Sequence, residues 1–424
     1  MSAKSARDKA LLSPYRVLDL TEGGYMVGGK ILADLGADVI KIEPPGGSPS
    51  RNIGPFYKDM HNPEKSLYWF AYNTNKRGVT LDIAKADGQD SFKRLVETAD
   101  IVMESFEPGY LDSLGLGYQS LSEIKPEIIL TSITPFSQAG PYAHYKATDI
   151  VTMAMGGSMY LCGDPTRPPL RVGHPQAELH GGAEGATASM VALWHRLMSG
   201  EGQHADVSTQ LCIIQTLMNA TAFPHLHKED LVRRGDRMKA GFTAVRPIFP
   251  TKDGYISFMP VAGYVGTASM RAMVDWMKEE GMAPDWMKEK DWESWDILQV
   301  ALSLDGQKEL DAQEEAFVKF FPTHLTQETY DEALKRRILI APCSTVEHLV
   351  ANPQLIDREY FAEVDHPELG ATLTYPAVWG KLAETPIGIR RRAPLIGEHN
   401  EEIYEKELGI PKARLILLKQ AGVI

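Results

Sequence analysis

The chain has 424 residues, and its 56 acidic side chains against 44 Lys and Arg give a formal net charge of −12. That balance argues against nonspecific nucleic-acid binding, and any polyanionic ligand would need a local basic site. Hydrophobic content of 43% and charged content of 24% are those of a globular protein. The apolar runs fall far short of a bilayer span, and the length calls for two domains. The opening MSAKSARDKA lacks an apolar signal core and reads as a mobile, mildly basic tail. Cys162, Cys212 and Cys343 show neither metal spacing nor a disulfide framework, which points to a reducing cytoplasm.

In chain order, Tyr15–Leu20 (YRVLDL) reads as a strand, Gly28–Leu35 as a helix ending at Gly36, and Ala37–Glu43 (ADVIKIE) as a second strand closed by Pro44-Pro45-Gly46-Gly47. Val79–Asp82 is a short strand and Ala86–Ala99 a helix. Ile101–Glu104 and Ile128–Ile133 are further strands. This alternation predicts βαβ units and a mostly parallel sheet, with ligands at the carboxyl ends of its strands. A long helix is predicted over Leu179–Met198, after which a Gly-Glu-Gly-Gln turn leads into an apolar strand, and a further helix over Leu211–Ala222. Composition then shifts. Residues 226–335 are dense in charge and Met and hold Trp276, Trp286, Trp292 and Trp295, so they read as a smaller second domain. It opens with a strand pair around Pro250–Phe258 and the turn Lys252-Asp253-Gly254. The last stretch, 340–424, carries strand signals at Gly370–Thr374 and the basic run Arg390-Arg391-Arg392.

Glu178 stands just before a helix rich in small residues, where free N–H groups favour an anion. Asn73-Thr74-Asn75-Lys76-Arg77 is a turn whose cations suit phosphates. Gly23-Gly24-Tyr25-Met26-Val27-Gly28 is a Gly-rich strand-to-helix loop that permits close backbone approach to a ligand, without the spacing of a dinucleotide fingerprint. The pairs His225/His227 and His174/His180 lack a third ligand at metal spacing, so no metal is expected. The four Trp of the second domain either line an aromatic acyl pocket or serve as core anchors.

Across nearly its whole length the chain resembles the class III coenzyme A transferases. The matching segments include LADLGADVIKIEPPGG (32–47), NTNKRGVTLDI (73–83), ADIVMESFEPGYLDSLGLGY (99–118), SITPFSQAGPY (132–142), GEGQHADVS (200–208) and RRRAPLIGEHN (390–400). The resemblance implies an α/β fold. A Rossmann-like large domain, 1–225 and 336–424, would be built from both chain ends, with 226–335 as a smaller insert and two chains interlocked as a dimer. It implies transfer of CoA from an acyl-CoA to a carboxylic acid, with coenzyme A as substrate rather than a resident cofactor. It places Glu178 where the family carries its nucleophilic Asp, and Asp149 as an acidic residue near it. Asn75, Lys76, Arg77, Phe106 and Lys146 fall on the family's CoA-binding positions. Two expected cations are missing: Glu107 and Ser113 stand where Arg is usual. With a Glu for the Asp, either the pocket is rebuilt around Glu178, or the chain is a noncatalytic CoA-binding subunit paired with a paralogue. An acyl-CoA racemase or epimerase is a weaker reading, because Thr148 stands where such relatives place a His. The Trp- and Met-rich insert points to a bulky, aryl-substituted succinate as acceptor, with succinyl-CoA as donor.

Overall fold

The computed structural model describes residues 10–240, 242–377 and 379–424; the N-terminal tail expected at 1–9 lies outside them. The fold is mixed α/β around a six-stranded parallel sheet in the order β3-β2-β1-β4-β5-β6. Its strands are β1 (Arg16–Leu20), β2 (Asp38–Glu43), β3 (Arg77–Thr80), β4 (Ile101–Glu104), β5 (Ile129–Thr134) and β6 (His204–Ser208). The helices that matter below are α1 (Met26–Asp34), α2 (Leu67–Asn73), α3 (Ala86–Thr98), α4 (Asp149–Met155), α5 (Ala177–Ser199) and α6 (Thr209–Gln215). Strands β2 and β5 are buried at every residue, as expected for strands covered on both faces. The strand order reverses between β1 and β4, and in open parallel sheets the crevice beyond the carboxyl ends at such a point is where ligands bind.

Residues are grouped into two compact units. The first comprises the described residues within 10–159, 171–230 and 354–424. Its core joins Leu18 and Ile40 of the sheet to Phe92, Leu95 and Val96 of α3 and to Ile403, Tyr404 and Leu418 near the carboxyl terminus. The Tyr404 hydroxyl donates to the Thr80 carbonyl at 2.9 Å, so the last segment of the chain is stitched to β3.

The second unit takes residues 160–170 and 231–353 and is wider than the 226–335 stretch that composition marks. It holds a three-stranded antiparallel sheet of β7 (Ile248–Pro250), β8 (Tyr255–Phe258) and β9 (Ile340–Pro342). Pairing of β9 with β8 draws 336–353 into this unit, and the Gly235 N–H donating to the Gly163 carbonyl at 2.8 Å draws in 160–170. Trp276, Trp292 and Trp295 are buried in its core among Met273, Met277, Phe317 and Phe320. Their indole N–H groups go to Glu280, to the Met287 carbonyl and to Glu309. Of the two roles open to them, these three are core anchors; Trp286 is 37% exposed.

Candidate active site

The loop after β1 and the start of α5 meet at one carboxylate. The Gly24 N–H donates to Glu178 Oε2 at 2.7 Å. The contact exists because α5 is glycine-rich on the face it turns to α1. A Cβ at Gly182 would lie 2.6 Å from Val27 Cγ1, and one at Gly28 would lie 2.6 Å from the Gly182 carbonyl oxygen. Near-backbone packing of the two helices fixes where the first turn of α5 falls. The loop itself is braced from behind. Glu22 Oε2 accepts from Ser48 Oγ at 2.5 Å and Ser50 Oγ at 2.6 Å, while the Glu22 N–H donates to Ser105 Oγ at 2.9 Å. Gly23 N–H donates to Ser50 Oγ at 2.9 Å.

The start of α5 has no local side-chain cap. Asp149, first residue of α4, does that work from outside: its Oδ1 accepts the N–H groups of Gln176 and Ala177, each at 2.7 Å. Both are donors that a helix start would otherwise leave unpaired. Glu178 is therefore held by Gly24 at its side chain, while Asp149 fixes the two residues that precede it. Burial raises its carboxyl above the usual Glu value, the Gly24 N–H pulls it back, and the Asp149 charge pushes it up again. Aromatic side chains complete the surroundings. Burial raises the phenols of Tyr68 and Tyr72, with the Glu178 charge as the next cause, so both remain protonated donors at neutral pH. Their rings meet edge to face at 4.8 Å. Tyr25 shares a hydrogen bond with Thr209 at 3.1 Å, and its phenol is likewise raised, first by burial.

The positions expected to bind phosphates divide. Lys76 is fully buried; its ammonium donates to Asp19 Oδ2 at 2.8 Å, the Met26 carbonyl at 2.8 Å and Asn73 Oδ1 at 2.9 Å. Arg77 is paired with Asp38 at 2.6 Å, Glu402 at 2.7 Å and Glu407 at 2.5 Å. Asn75 donates to Asp34 at 2.6 Å and the Gly388 carbonyl at 2.8 Å, and accepts the Arg390 N–H at 2.6 Å. The polar groups of this turn, expected to face phosphates, are turned inward and fasten β3, α1 and the 388–391 segment together. Burying two charges is tolerable only with such complete pairing.

Phe106 lies on the loop after β4, and Lys146 on the segment between β5 and α4. Phe106 packs half-buried against the core and against Tyr110 at 4.9 Å, and its N–H donates to Glu104 Oε2 at 2.6 Å. Lys146 is 87% exposed and stands 3.4 Å from Glu107, itself 75% exposed. Beside them a cavity of about 210 Å³ is lined by Glu104, Glu107, Tyr118, Ser132, Gln138 and His204. Burial pushes Glu104 up to about 7. Sequence reading missed Glu104, because a strand-end Glu carries no signal of its burial. It also missed the tyrosines of α2, which read as ordinary helix faces. Among the described residues no group of three His, Cys, Asp or Glu is arranged to hold a metal, and no helix is long and apolar enough to cross a membrane. The side chain of His227 lies outside the described residues.

Three comparisons bear on this geometry. A family profile described as CoA-transferase family III matches residues 12–400. Succinyl-CoA:(R)-benzylsuccinate CoA-transferase subunit BbsE of Thauera aromatica is 33% identical, over 97% of this chain and 98% of its own length. Succinyl-CoA–D-citramalate CoA-transferase of Chloroflexus aurantiacus is 30% identical, over 99% of this chain and 100% of its own. Among solved structures, a CAIB/BAIF family protein from Brucella suis superposes with a TM-score of 0.77 at 26% identity, covering 94% of this chain and 99% of that one.

Proposed function

The chain belongs to CoA-transferase family III and is a CoA-transferase enzyme, and from that premise we propose that Glu178 is the carboxylate through which CoA passes. One Glu178 oxygen attacks the thioester carbonyl of the donor, the C–S bond breaks, and CoA leaves as its thiolate while a mixed anhydride forms. The thiolate attacks the Glu178 carbonyl carbon, the anhydride C–O bond breaks, and the donor acid departs as its carboxylate. An acceptor carboxylate then attacks the glutamyl thioester carbonyl, the C–S bond breaks to release the thiolate and leave a second mixed anhydride, and the thiolate attacks the acceptor's acyl carbon, breaking its bond to the Glu178 oxygen and restoring the carboxylate. Covalent catalysis divides one hard exchange into four matched displacements, none needing a net proton transfer. The Gly24 N–H has a double use in this scheme. It holds Oε2 so that Oε1 is the attacking atom, and it faces the oxygen on which negative charge gathers when the thiolate adds to the Glu178 carbonyl.

The observation that carries the reading is the 2.7 Å contact of Glu178 with Gly24 beyond the carboxyl end of β1, beside the point where the strand order reverses. The test is to incubate the purified chain with succinyl-CoA and seek a CoA adduct by mass spectrometry; CoA exchange without an adduct on Glu178 would sink it. Succinyl-CoA as donor and an aryl-substituted succinate as acceptor are supported by the activity for which the Thauera relative is named and by the phenol groups of Tyr68 and Tyr72 near Glu178. A panel of free acids decides the acceptor, and strict preference for a small acid such as oxalate rules out the aryl class. Coenzyme A would enter along Phe106 and Lys146. Asp149 is proposed to support Glu178 by placing its helix.

An interlocked dimer of large domains built from both chain ends, each with a smaller insert, is the proposed assembly, and the cytoplasm the proposed compartment. Val191, Trp194, Leu197 and Met198 leave an apolar ridge on α5, from 58% to 73% exposed, that a second chain would cover. A second reading, a subunit active only beside a paralogous chain, is favoured by the Lys146–Glu107 pair, which neutralises a cation where CoA would need it. Assay of the lone chain against the chain with its partner separates the two.

A further inference from the structure

Glutamate is one methylene longer than the aspartate it replaces, and the loop facing it carries two glycines whose missing side chains are not equivalent. A Cβ at Gly23 would lie 2.4 Å from Glu178 Oε2 and 3.3 Å from its Cδ. A Cβ at Gly24 would instead make its hardest clash, 2.8 Å, with Glu178 Cβ, an atom that aspartate shares, and would lie 3.3 Å from Oε2. Position 23 therefore meets the far end of the acid and position 24 its root. Resting on the reading of Glu178 as the acyl-accepting carboxylate, we infer that Gly23 is a specificity-determining position that sets the length of the nucleophile: the space of its absent side chain is occupied by the terminal oxygen of a glutamate.

The physical argument is steric. Real Cβ atoms do not approach an oxygen to 2.4 Å, so any side chain at 23 drives the Glu178 carboxylate out of the cradle. The Glu178 side chain is flexible at its end, so the loop need not collapse. What is lost is the placement of Oε2 on the Gly24 N–H. An aspartate at 178 draws its carboxylate back by one C–C bond and leaves the space beside residue 23 vacant. Gly23 has φ +60°, so an alanine there is strained with either acid, and this strain cancels when the two backgrounds are compared. Alanine at 24 clashes with both acids and serves as the internal control.

The experiment is a set of six proteins: the parent, G23A, E178D, G23A/E178D, G24A and G24A/E178D. Each is incubated with succinyl-CoA and the rate of CoA-adduct formation is read by intact-protein mass spectrometry. Crystal structures of the parent and G23A, and thermal melting of all six, accompany it. In G23A the Glu178 carboxylate leaves hydrogen-bond reach of the Gly24 N–H, and a displacement of about 1 Å slows adduct formation by about a hundredfold. E178D is slowed by a similar factor, and adding G23A to it slows it no further. G24A slows both backgrounds alike. The inference falls if G23A is as harmful with aspartate as with glutamate, or if the G23A structure keeps Oε2 on Gly24. A parent protein that forms no adduct refutes the nucleophile reading instead, and the G23A structure still decides the cradle.

Discussion

Asp149 gives the sharpest test of how the site is held, because two variants separate its backbone role from its charge. Replacing it by alanine removes the acceptor of the Gln176 and Ala177 N–H groups, two contacts of 2.7 Å at the helix start that carries Glu178. Loss of one capping side chain costs about 1 kcal/mol of stability, and Asp149 caps two donors, so about 1–2 kcal/mol is expected. The larger effect falls on rate. A loosened first turn moves Glu178 against the Gly24 N–H, and a misplacement of about 1 Å costs on the order of a hundredfold. Asp149→Asn keeps an acceptor oxygen and removes the charge. Since the Asp149 charge is one cause of the raised Glu178 carboxyl, the asparagine variant lowers it. The nucleophile must be ionised, so activity is lost as pH falls through the Glu178 value, and this acidic limb moves to lower pH in D149N. The assay is the rate of CoA-adduct formation from succinyl-CoA across pH, with thermal unfolding alongside. An alanine variant as fast as the parent at every pH, or an asparagine variant whose acidic limb stays in place, refutes the reasoning.

Other predictions follow from buried charge. A carboxyl with a raised folded value stabilises the fold only while protonated, and that stability is lost as pH rises. Glu178→Gln therefore melts above the parent at pH 7, with the gap closing below the ordinary Glu value of about 4.3; equal melting at both pH values contradicts a raised Glu178 carboxyl. By the same sign Glu104, raised to about 7, disfavours the fold progressively through neutral pH, so Glu104→Gln is more stable than the parent at pH 8 and indistinguishable at pH 4. Lys76→Met removes the nearer of two buried cations from Asp19, leaving Lys41 at 3.8 Å, and breaking a buried pair costs up to about 3–5 kcal/mol. A phosphate-binding Lys76 would instead raise KM for the CoA donor at unchanged melting temperature. That pattern is expected of Lys146→Ala, whose exposed pair with Glu107 contributes little to the fold.

Much of the architecture is legible in the chain because short runs rich in Val, Ile and Leu alternate with helix signals. VLDL, DVIKIE and IVME read as strands and are the centre of the sheet, and the helix expected over Leu179–Met198 runs from Ala177 to Ser199. A carboxylate in the first turn of that helix was equally visible, since helix position depends on neighbours a few residues away. The partners of a charge are not local. Lys76 looks like a surface cation until the fold brings Asp19, 57 residues earlier, against it. Four Trp in one stretch left both a ligand wall and a core open, and only packing assigned Trp276, Trp292 and Trp295 to the core.

Sequence by itself determined the parallel α/β sheet, the reaction family and the acid that stands at its expected nucleophile position, because periodicity and residue order survive without coordinates. Tertiary structure alone decided what touches that acid. The Gly24 N–H reaches Glu178 across 154 residues of chain, and Asp149 caps a helix that begins 28 residues later. Hydrogen bonds and steric fits act over about 3 Å in space, and only the closing of glycine against glycine between α1 and α5 brings those groups within that range.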